Sequence, residues 1–348
     1  MSPSEVRAHF EKQAQACAHL GSPFTAMLCL TLGRILDPSD RVGSAILQWK
    51  GDAGADALAL RLCGGLHRLV LQAQDAKLAA AYPPNAANRD VLEVVLPQVL
   101  HRHSQQLLAE LQRAPQTNEI ARSGMLLPGF LFLARQTDLP LKLYEIGSSA
   151  GLNLLFDRFG YQFAGRRWGQ SASPVQITPE IRGKKAIPLG GNLMIASRRG
   201  CDLAPIDVQE AQARMRLRSF VWADQDQRLA RLDGALKLAQ QTPVDLDQID
   251  AEAFVRNELA ETPQGAVRVV FHSIMWQYMP VEARDAIEAQ LAAVGSAASK
   301  SSPLAWLRME PTGAGAPWAE LTLTLWPNAR TLHLANCDYH GRWIEWLV

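Results

Sequence analysis

Residues 139–156, LPLKLYEIGSSAGLNLLF, limit the fold of this 348-residue chain more than any other stretch. Their first half is a short, mostly apolar run with the length of a buried parallel strand, and it carries one acid, Glu145, near its end. Gly147 and Gly151 then bracket a turn, after which the apolar spacing indicates the beginning of a helix. Glycines let the backbone turn tightly beside a ligand, and the free N–H groups of a first helical turn point towards it. This stretch predicts a ligand cradle of strand, turn and helix on a central strand of an α/β sheet.

The charge balance argues against nucleic acid as a partner. The formal net charge is +1, and the charged residues, 20% of the chain, are mixed in sign. Binding to phosphate backbones needs a basic patch, whereas the two short basic runs, RRW at 166–168 and SRRG at 197–200, are typical of solvated loops. We therefore expect a small-molecule ligand.

The cysteines and the N-terminal residues favour a cytoplasmic protein. Five cysteines lie far apart without a CxxC pair, which indicates reduced thiols rather than disulfides or a zinc ribbon. His101 and His103 are two residues apart and would point to nearly opposite sides of a helix, so we expect no metal site there. The first residues lack the apolar core of a signal peptide, and no segment has the roughly 18 continuous apolar residues of a membrane span.

The secondary-structure signals divide the chain at about residue 138. Residues 1–138 are rich in alanine and leucine, and their periodicity predicts a helical bundle. The expected helices cover residues 24–36, 57–81, 91–113 and 118–137. Residues 139–348 alternate between strand and helix patterns, with a β-rich insertion at about 158–200 and two antiparallel strands near the end. We predict a helical N-terminal domain followed by a doubly wound, Rossmann-like α/β sheet with an antiparallel C-terminal hairpin.

The segment PQTNEIAR, residues 115–122, starts an otherwise apolar helix with polar side chains. Thr117 or Asn118 is a suitable N-cap, and Glu119 would favour the positive end of that helix. The alternative is that these side chains face a pocket, where Asn118, Glu119 and Arg122 would contact a substrate. The sequence leaves both interpretations open.

One interpretation of the turn is a nucleophile elbow. GSSAG, residues 147–151, fits the GxSxG pattern of α/β-hydrolases, with Ser149 as the nucleophile. A triad would need a histidine within hydrogen-bond reach of the serine and an acid behind the histidine. The later candidates are His272, His340, Asp250 and Asp338. A hydrolase elbow normally follows several strands, however, whereas the preceding 138 residues are predicted to be helical.

The same residues also resemble a different motif. An apolar strand, an acid (Glu145) and a glycine-rich turn that runs to Asn153 resemble motif I of the class I S-adenosylmethionine-dependent methyltransferases. Ser149 stands at the middle position, where that family has glycine. Further segments are similar to an uncharacterised conserved bacterial family, domain of unknown function 2332, which is thought to be methyltransferase-like. These segments are SPF, GLHRLVL, QTNE, EIGSSAGLN, CDLAPID and HSIMWQYMP.

The methyltransferase resemblance implies a set of residues that would hold S-adenosylmethionine. The cradle would bind its methionine and ribose side through Glu145, Gly147, Ser148, Ser149, Gly151 and Asn153. Asp202, near the end of the second strand, would contact the ribose hydroxyls. Asp250 and Ala251, after the third strand, would contact the adenine. His272 and Ser273, at the end of the fourth, would lie beside the transferable methyl group.

Methyl transfer to an oxygen or nitrogen atom would also need a base and an acceptor site. His272 is the first candidate for the base and His340 the second. The acceptor would be selected by Asn118, Glu119 and Arg122, while Trp276 and Tyr278 would line an apolar wall or face the sulfonium. Three classes stay open: a methyltransferase acting on a small molecule, a serine hydrolase, and a relative of the methyltransferase fold that binds a ligand without catalysis.

Overall fold

The computed structural model describes residues 2–85, 88–313 and 315–348, which form two compact units. The first, here the helical unit, comprises Met1–Thr117 and Glu210–Leu229. The second, the α/β unit, comprises Asn118–Gln209 and Ala230–Val348. The division falls after Thr117 rather than near residue 138, because the helix that follows packs directly on the sheet.

Short helices make up the helical unit, and most begin at a side chain that caps them. Ser2, Ser22, Asp40, Asp75 and Asn88 each accept a hydrogen bond from a backbone N–H of the first turn. Asp75 and the non-helical backbone at His103 divide two predicted long helices into pairs. In the described residues the helices are α1 (Pro3–His19), α2 (Pro23–Ile35), α3 (Arg41–Leu47), α4 (Leu58–Leu71), α5 (Ala76–Ala80), α6 (Arg89–Arg102), α7 (Ser104–Leu111) and, later in the chain, α9 (Ala211–Ser219).

The later segment joins the helical unit through close contacts with α2 and α4. A Cβ atom at Gly64 would lie 2.7 Å from the ring of Phe220, so only glycine allows this approach. Asp224 accepts hydrogen bonds from the hydroxyl of Ser22 and from the N–H of Phe24, the latter at 2.9 Å. Residues 210–229 therefore complete the helical core and cap the beginning of α2.

The α/β unit is built on a large sheet, nine-stranded within the described residues. Its strands are β1 (Leu141–Ile146), β5 (Glu180–Arg182), β6 (Ile195–Asp202), β7 (Asp245–Gln248), β8 (Val267–Ser273), β9 (Leu304–Pro311), β10 (Ala319–Trp326), β11 (Arg330–Cys337) and β12 (Trp343–Trp346). The order is β5–β12–β11–β10–β9–β8–β1–β6–β7. Neighbours from β7 to β9 are parallel, and β10 and β11 are antiparallel to their neighbours. The mixed α/β class is confirmed: a helical N-terminal region precedes a mostly parallel sheet with antiparallel C-terminal strands.

β1 lies where the strand order reverses. From β1 the chain adds β6 and then β7 on one side, and it returns to the other side of β1 for β8 and β9. The crevice outside the carboxyl ends of the strands at such a reversal is the usual ligand site of open α/β sheets. The turn after β1 therefore follows the middle strand of the parallel part β9–β8–β1–β6–β7.

Helices cover both faces of this sheet. On one face, Phe130 of α8 (Ser123–Thr137) stacks on Phe156 and meets Phe271 edge-on, with ring centroids 4.3 and 5.2 Å apart. The opposite face packs against α11 (Ala251–Glu258) and α12 (Val281–Ser296), through residues such as Phe254 and Ile287. The remaining long helix, α10 (Asp226–Gln241), spans the division between the two units.

The predicted β-rich insertion contributes to two sheets. A small separate sheet contains β2 (Gly160–Phe163), β3 (Arg166–Gly169) and β4 (Gln176–Ile177). Its hairpin turns at Ala164 and Gly165, which both have positive φ, as a tight two-residue turn requires. In contrast, β5 pairs with β12 at the edge of the main sheet, and NLMIASRRG provides most of β6.

No helix in the described ranges has the length and apolar character to cross a bilayer. Within those ranges, no group of three or more histidine, cysteine, aspartate or glutamate side chains could hold a metal ion. All five cysteines are buried as free thiols, and the sulfur atoms of Cys29 and Cys63 lie 3.7 Å apart.

Candidate functional site

The turn after β1 is held in shape by the neighbouring strand β6. Gly147, Ser149 and Gly151 all have positive φ, a conformation that glycine adopts freely and serine adopts at a cost. The backbone N–H and the hydroxyl of Ser148 both donate to the carbonyl oxygen of Cys201, at 2.9 and 3.1 Å. The strained turn is therefore anchored to the sheet at its second residue.

Asp202, the last residue of β6, also fastens the turn. Its Oδ2 accepts a hydrogen bond from the N–H of Ser149 at 2.9 Å, and its Oδ1 accepts one from the N–H of Ala204 at 2.9 Å. The carbonyl of Ser149 accepts a further bond from the N–H of Ile206 at 3.0 Å. The acid expected to bind a ribose thus lies beside the cradle, and each carboxylate oxygen already holds one backbone N–H group.

Asn118 contacts the other end of the same turn. Its Oδ1 accepts hydrogen bonds from the N–H groups of Ala150 and Leu152, both at 3.2 Å. The α-helix begins at Ser123, and Glu119 instead caps the short 3₁₀ helix Ile120–Arg122 through a bond from the N–H of Ala121 at 3.2 Å. Asn118 therefore positions the cradle and is not the N-cap of the predicted long helix.

Arg122 bridges two loops at the carboxyl ends of the strands. Its Nε donates to the carbonyl of Tyr339 at 2.9 Å, and its guanidinium also donates to the carbonyl of Ser273 at 3.2 Å. Ser273 ends β8, the neighbour of β1, so the Arg122 side chain reaches the point where the strand order reverses. The three residues that were predicted to contact a substrate, Asn118, Glu119 and Arg122, all belong to the α/β unit.

Glu145 brings a carboxyl group into the interior at the same point. Its residue is 3% exposed, and no group in the described part of the chain forms a hydrogen bond with its Oε2. Burial raises the pKa of this carboxyl well above its ordinary value; the negative charge of Asp202 adds to the increase, and the Arg122 guanidinium opposes it. A buried oxygen without a donor is destabilising, so a ligand with an N–H or O–H group would be stabilised there.

Ser149 and Asn153 differ in how their polar atoms are used. Asn153 accepts a hydrogen bond from the hydroxyl of Ser123 at 2.8 Å, which joins the cradle to α8. The Oγ of Ser149 is buried without a hydrogen-bond partner among the described residues. No described histidine is therefore hydrogen-bonded to this hydroxyl, and the geometry of a catalytic triad is not assembled.

Both glycines of the turn lie against side chains of other strands and loops. A Cβ atom at Gly147 would come 3.0 Å from the side chain of Met275, which follows β8. At Gly151 it would come 2.9 Å from Val244 and Leu246, at the beginning of β7. Close packing as well as positive φ requires glycine at these positions.

A pocket of about 260 Å³ lies beside the turn. Its wall is mostly apolar and includes Ala150, Ile206, Val244 and Leu246, with Asp207 as a charged neighbour. This volume is below the range of about 300–1,000 Å³ that is typical of small-molecule sites. The pocket alone is therefore too small for a whole adenosyl ligand.

His272 is fully buried at the end of β8, and both of its ring nitrogens are used. The indole Nε1–H of Trp306 donates to its Nε2 at 3.0 Å. Since indole is only a donor, the ring proton of a neutral His272 lies on Nδ1, from which it reaches Oε1 of Glu310 at 2.7 Å. In this arrangement the imidazole has no free lone pair for a substrate proton, and its effect is to orient Glu310.

The other predicted site residues lie in three places. His340 is in a turn where its backbone N–H donates to Asp338. Burial raises the pKa of the Asp338 carboxyl, but hydrogen bonds from Arg342 hold this pKa below its ordinary value.

Asp250, which is exposed, caps α11 through the N–H of Ala253 at 2.8 Å, and Ala251 begins that helix. Trp276 stacks on His272 with ring centroids 4.9 Å apart, and Tyr278 is 76% exposed.

Three residues around His272 were not predicted as site residues: Met275, Trp306 and Glu310. The sequence offers a signal for one of them: Glu310 lies near the end of a buried strand, as Glu145 does. The contacts themselves depend on the register of β8 and β9, in which His272 is opposite Arg308. That register is not visible in the local sequence.

The fold and this site define a mixed α/β protein with a glycine turn and buried carboxyl groups at the reversal of its sheet. Residues 7–346 match the family described as "uncharacterized protein conserved in bacteria (DUF2332)", and the chain belongs to that family. No curated protein and no solved structure gives a significant match.

Proposed function

We propose that the α/β unit binds S-adenosylmethionine at the reversal of its sheet and transfers the methyl group to a small molecule. The observation that carries this proposal is the buried Oε2 of Glu145, which has no donor among the described residues and lies on β1 beside the glycine turn. The ammonium and ribose hydroxyls of S-adenosylmethionine are donors of the kind this oxygen needs. The resemblance of the turn to motif I supports the same ligand.

The residues at the turn fit this ligand in a second respect. The Oγ of Ser149 is another buried oxygen without a partner in the described chain, so two residues of the same strand and turn offer hydrogen bonds to polar ligand groups. The Met275 side chain lies against Gly147, and this flexible side chain would have to move when the ligand enters. The bound ligand would supply a methyl group on a sulfonium.

In the proposed reaction the chain would act mainly by positioning and by excluding water. Asn118 and Asp202 would keep the turn in its strained shape, so that little conformational freedom is lost on binding. Arg122, held by the carbonyls of Ser273 and Tyr339, would place a positive charge near Glu145 and near any carboxylate of the ligand. Asp250 and Ala251, at the beginning of α11, remain the proposed contacts of the adenine.

Calorimetric titration with S-adenosylhomocysteine tests binding without requiring the acceptor. We expect saturable binding to the wild type, and about 2.7 kcal/mol of added stability at one hundred times the dissociation constant. Replacement Glu145→Gln should weaken binding about 10- to 100-fold, because a hydrogen bond to a charged group contributes roughly 1.5–3 kcal/mol. The matched control is Glu261→Gln, which changes an exposed carboxylate before β8. Unchanged calorimetric and melting curves at millimolar ligand would refute the proposal.

A serine hydrolase is the second candidate, and one observation favours it: Ser149 has the positive φ of a strained turn between a strand and a helix, as in a nucleophile elbow. The replacement Ser149→Ala separates the two functions. A hydrolase would lose its activity and its labelling by a fluorophosphonate, whereas binding of S-adenosylhomocysteine would only weaken. Binding without any methyl transfer would indicate the non-catalytic relative.

A further inference from the structure

A second buried carboxyl group, that of Glu310, lies at the carboxyl end of a strand of the sheet. Glu310, at the end of β9, is 8% exposed. Its Oε1 accepts hydrogen bonds from Nδ1 of His272 at 2.7 Å and from the N–H of Met275 at 3.0 Å. Its Oε2 is buried and receives no hydrogen bond from the described chain. The carboxyl group is thus fixed in orientation by one oxygen, while the other receives no hydrogen bond from the residues that the structure describes.

The surrounding residues make this arrangement rigid. The Trp306 indole fixes the tautomer of His272, and the Trp276 ring stacks on the imidazole. Ile274, between Ser273 and Met275, has a φ of +52°, which a β-branched residue adopts only at a cost in free energy. A backbone strained in this way and bonded to Glu310 is typical of a functional site.

Two aromatic side chains are exposed in the segments that flank the carboxyl end of β9. Tyr278 follows β8, one neighbour of β9, and is 76% exposed. Trp318 precedes β10, the other neighbour, and is 40% exposed. Two loops beside the end of β9 therefore have exposed aromatic rings that a ligand can contact. Tyrosine and tryptophan are enriched at binding surfaces.

The charges around Glu310 are mixed. Arg308 lies two residues earlier on the same strand, with its guanidinium 3.8 Å from the Trp306 ring centroid, and it partly compensates the charge of Glu310. Glu320 is opposite Glu310 on β10. The free oxygen therefore favours a hydrogen-bond donor, whether ammonium or hydroxyl, and disfavours a carboxylate.

We propose that Glu310 binds the methyl acceptor and that the acceptor carries an amine or hydroxyl group beside an aromatic ring. The identification of the ligand as the methyl acceptor rests on the proposed function, whereas the presence of a binding site is inferred from the geometry of Glu310. His272 is a positioning residue for Glu310, and the rings of Tyr278 and Trp318 contact the ring of the ligand. The amine or hydroxyl of the ligand donates to Oε2.

Fluorine NMR of the full chain tests this site with three small probes. The probes are 4-fluorobenzylamine, 4-fluorobenzyl alcohol and 4-fluorobenzoate, each titrated with and without saturating S-adenosylhomocysteine. We expect the amine or the alcohol to bind in the millimolar range, and the benzoate to bind at least tenfold more weakly. The replacement Glu310→Gln keeps an oxygen that accepts hydrogen bonds from His272 and Met275, but it puts an NH2 group in place of the free oxygen. It should therefore weaken binding of the amine and alcohol probes tenfold or more.

A second variant and a control keep the outcome clear. Tyr278→Ala changes an exposed side chain without risk to the core, and it should weaken the bound probe severalfold. Glu261→Gln should leave the affinity unchanged. The proposal is overturned if neither donor probe binds the wild type, or if Glu310→Gln binds them equally well while its melting temperature is native-like.

The two proposals fail separately. If S-adenosylhomocysteine binds but Glu310→Gln leaves the probes unaffected, the acceptor site is refuted and the proposed function stands. If binding of the probes depends on Glu310 but S-adenosylhomocysteine does not bind, the ligand site at Glu310 is supported and the methyltransferase proposal is refuted.

Discussion

Trp306 determines which nitrogen of His272 carries the proton, because its indole N–H donates to Nε2 at 3.0 Å. Nε2 must then be the acceptor, and Nδ1 is the donor to Glu310. The pair lies on neighbouring parallel strands, β8 and β9, on the face covered by α11 and α12. His272, which the sequence analysis proposed as a catalytic base, thus orients the carboxyl group of Glu310.

The first prediction concerns this tautomer. Imidazole ¹⁵N shifts of the wild type should show His272 with its proton on Nδ1. The replacement Trp306→Phe keeps an aromatic ring but leaves a buried nitrogen without a donor, so it should cost about 1–3 kcal/mol of unfolding free energy and mix the tautomers. Trp318→Phe, at an exposed position, is the control and should change stability by less than about 0.5 kcal/mol. A single Nε2–H tautomer in the wild type would contradict the assignment.

The second prediction concerns Asn118. Its side-chain oxygen is bonded to two N–H groups of the cradle, those of Ala150 and Leu152. Asn118→Ala should therefore lower the unfolding free energy by about 1–3 kcal/mol in urea titrations, because both donors lose their partner. Asn118→Asp retains an acceptor and should recover much of that loss.

The control for Asn118 is Asn257→Ala, at an exposed position of α11. It should change stability by about 0.5 kcal/mol or less. Equal effects of the two alanine variants would show that Asn118 does not hold the turn.

The cradle could be predicted from sequence because its determinants are adjacent in the chain. An apolar run, an acid and two glycines specify strand and turn locally, and the observed strand Leu141–Ile146 lies in the middle of the parallel part of the sheet. The strand pattern of residues 304–309 and the C-terminal antiparallel pair were also predicted correctly in type. Such patterns depend on neighbouring residues only.

What could not be predicted depends on contacts between distant residues. Asn118 reads as an N-cap in the sequence, but its partner Ala150 is 32 residues away. The segment NLMIASRRG reads as part of an insertion, yet it forms β6 because its backbone pairs with β1. The bonds of Glu310 to His272 and Met275 likewise follow from register between strands.

The third prediction tests the packing of α12 on the sheet. A Cβ atom at Gly295 would lie 2.5 Å from three atoms of the Trp326 ring. Alanine is intrinsically better than glycine in a helix by about 1 kcal/mol, but a clash with a buried ring costs about 1–3 kcal/mol or more. Gly295→Ala should therefore lower the melting temperature. Gly190→Ala, where a Cβ atom would meet open space, is the control and should leave it nearly unchanged.

The fourth prediction concerns the pH dependence of stability that Glu145 produces. Burial raises the pKa of this carboxyl in the folded state above its value of about 4.5 in the unfolded chain. The folded protein then holds this proton more tightly, so the stabilising effect is complete below pH 4.5 and is lost as the pH rises through the folded pKa. Glu145→Gln cannot ionise and should avoid that loss.

The measurement is a set of urea titrations of wild type and Glu145→Gln from pH 5 to pH 8. The Gln variant should gain stability relative to the wild type as the pH increases, because the wild type must either keep a proton at this carboxyl or bury its charge. Glu261→Gln, which removes an exposed carboxylate, should give a difference from wild type of about 0.5 kcal/mol or less. A constant difference between wild type and Glu145→Gln across this range would mean that a donor reaches Glu145 in solution.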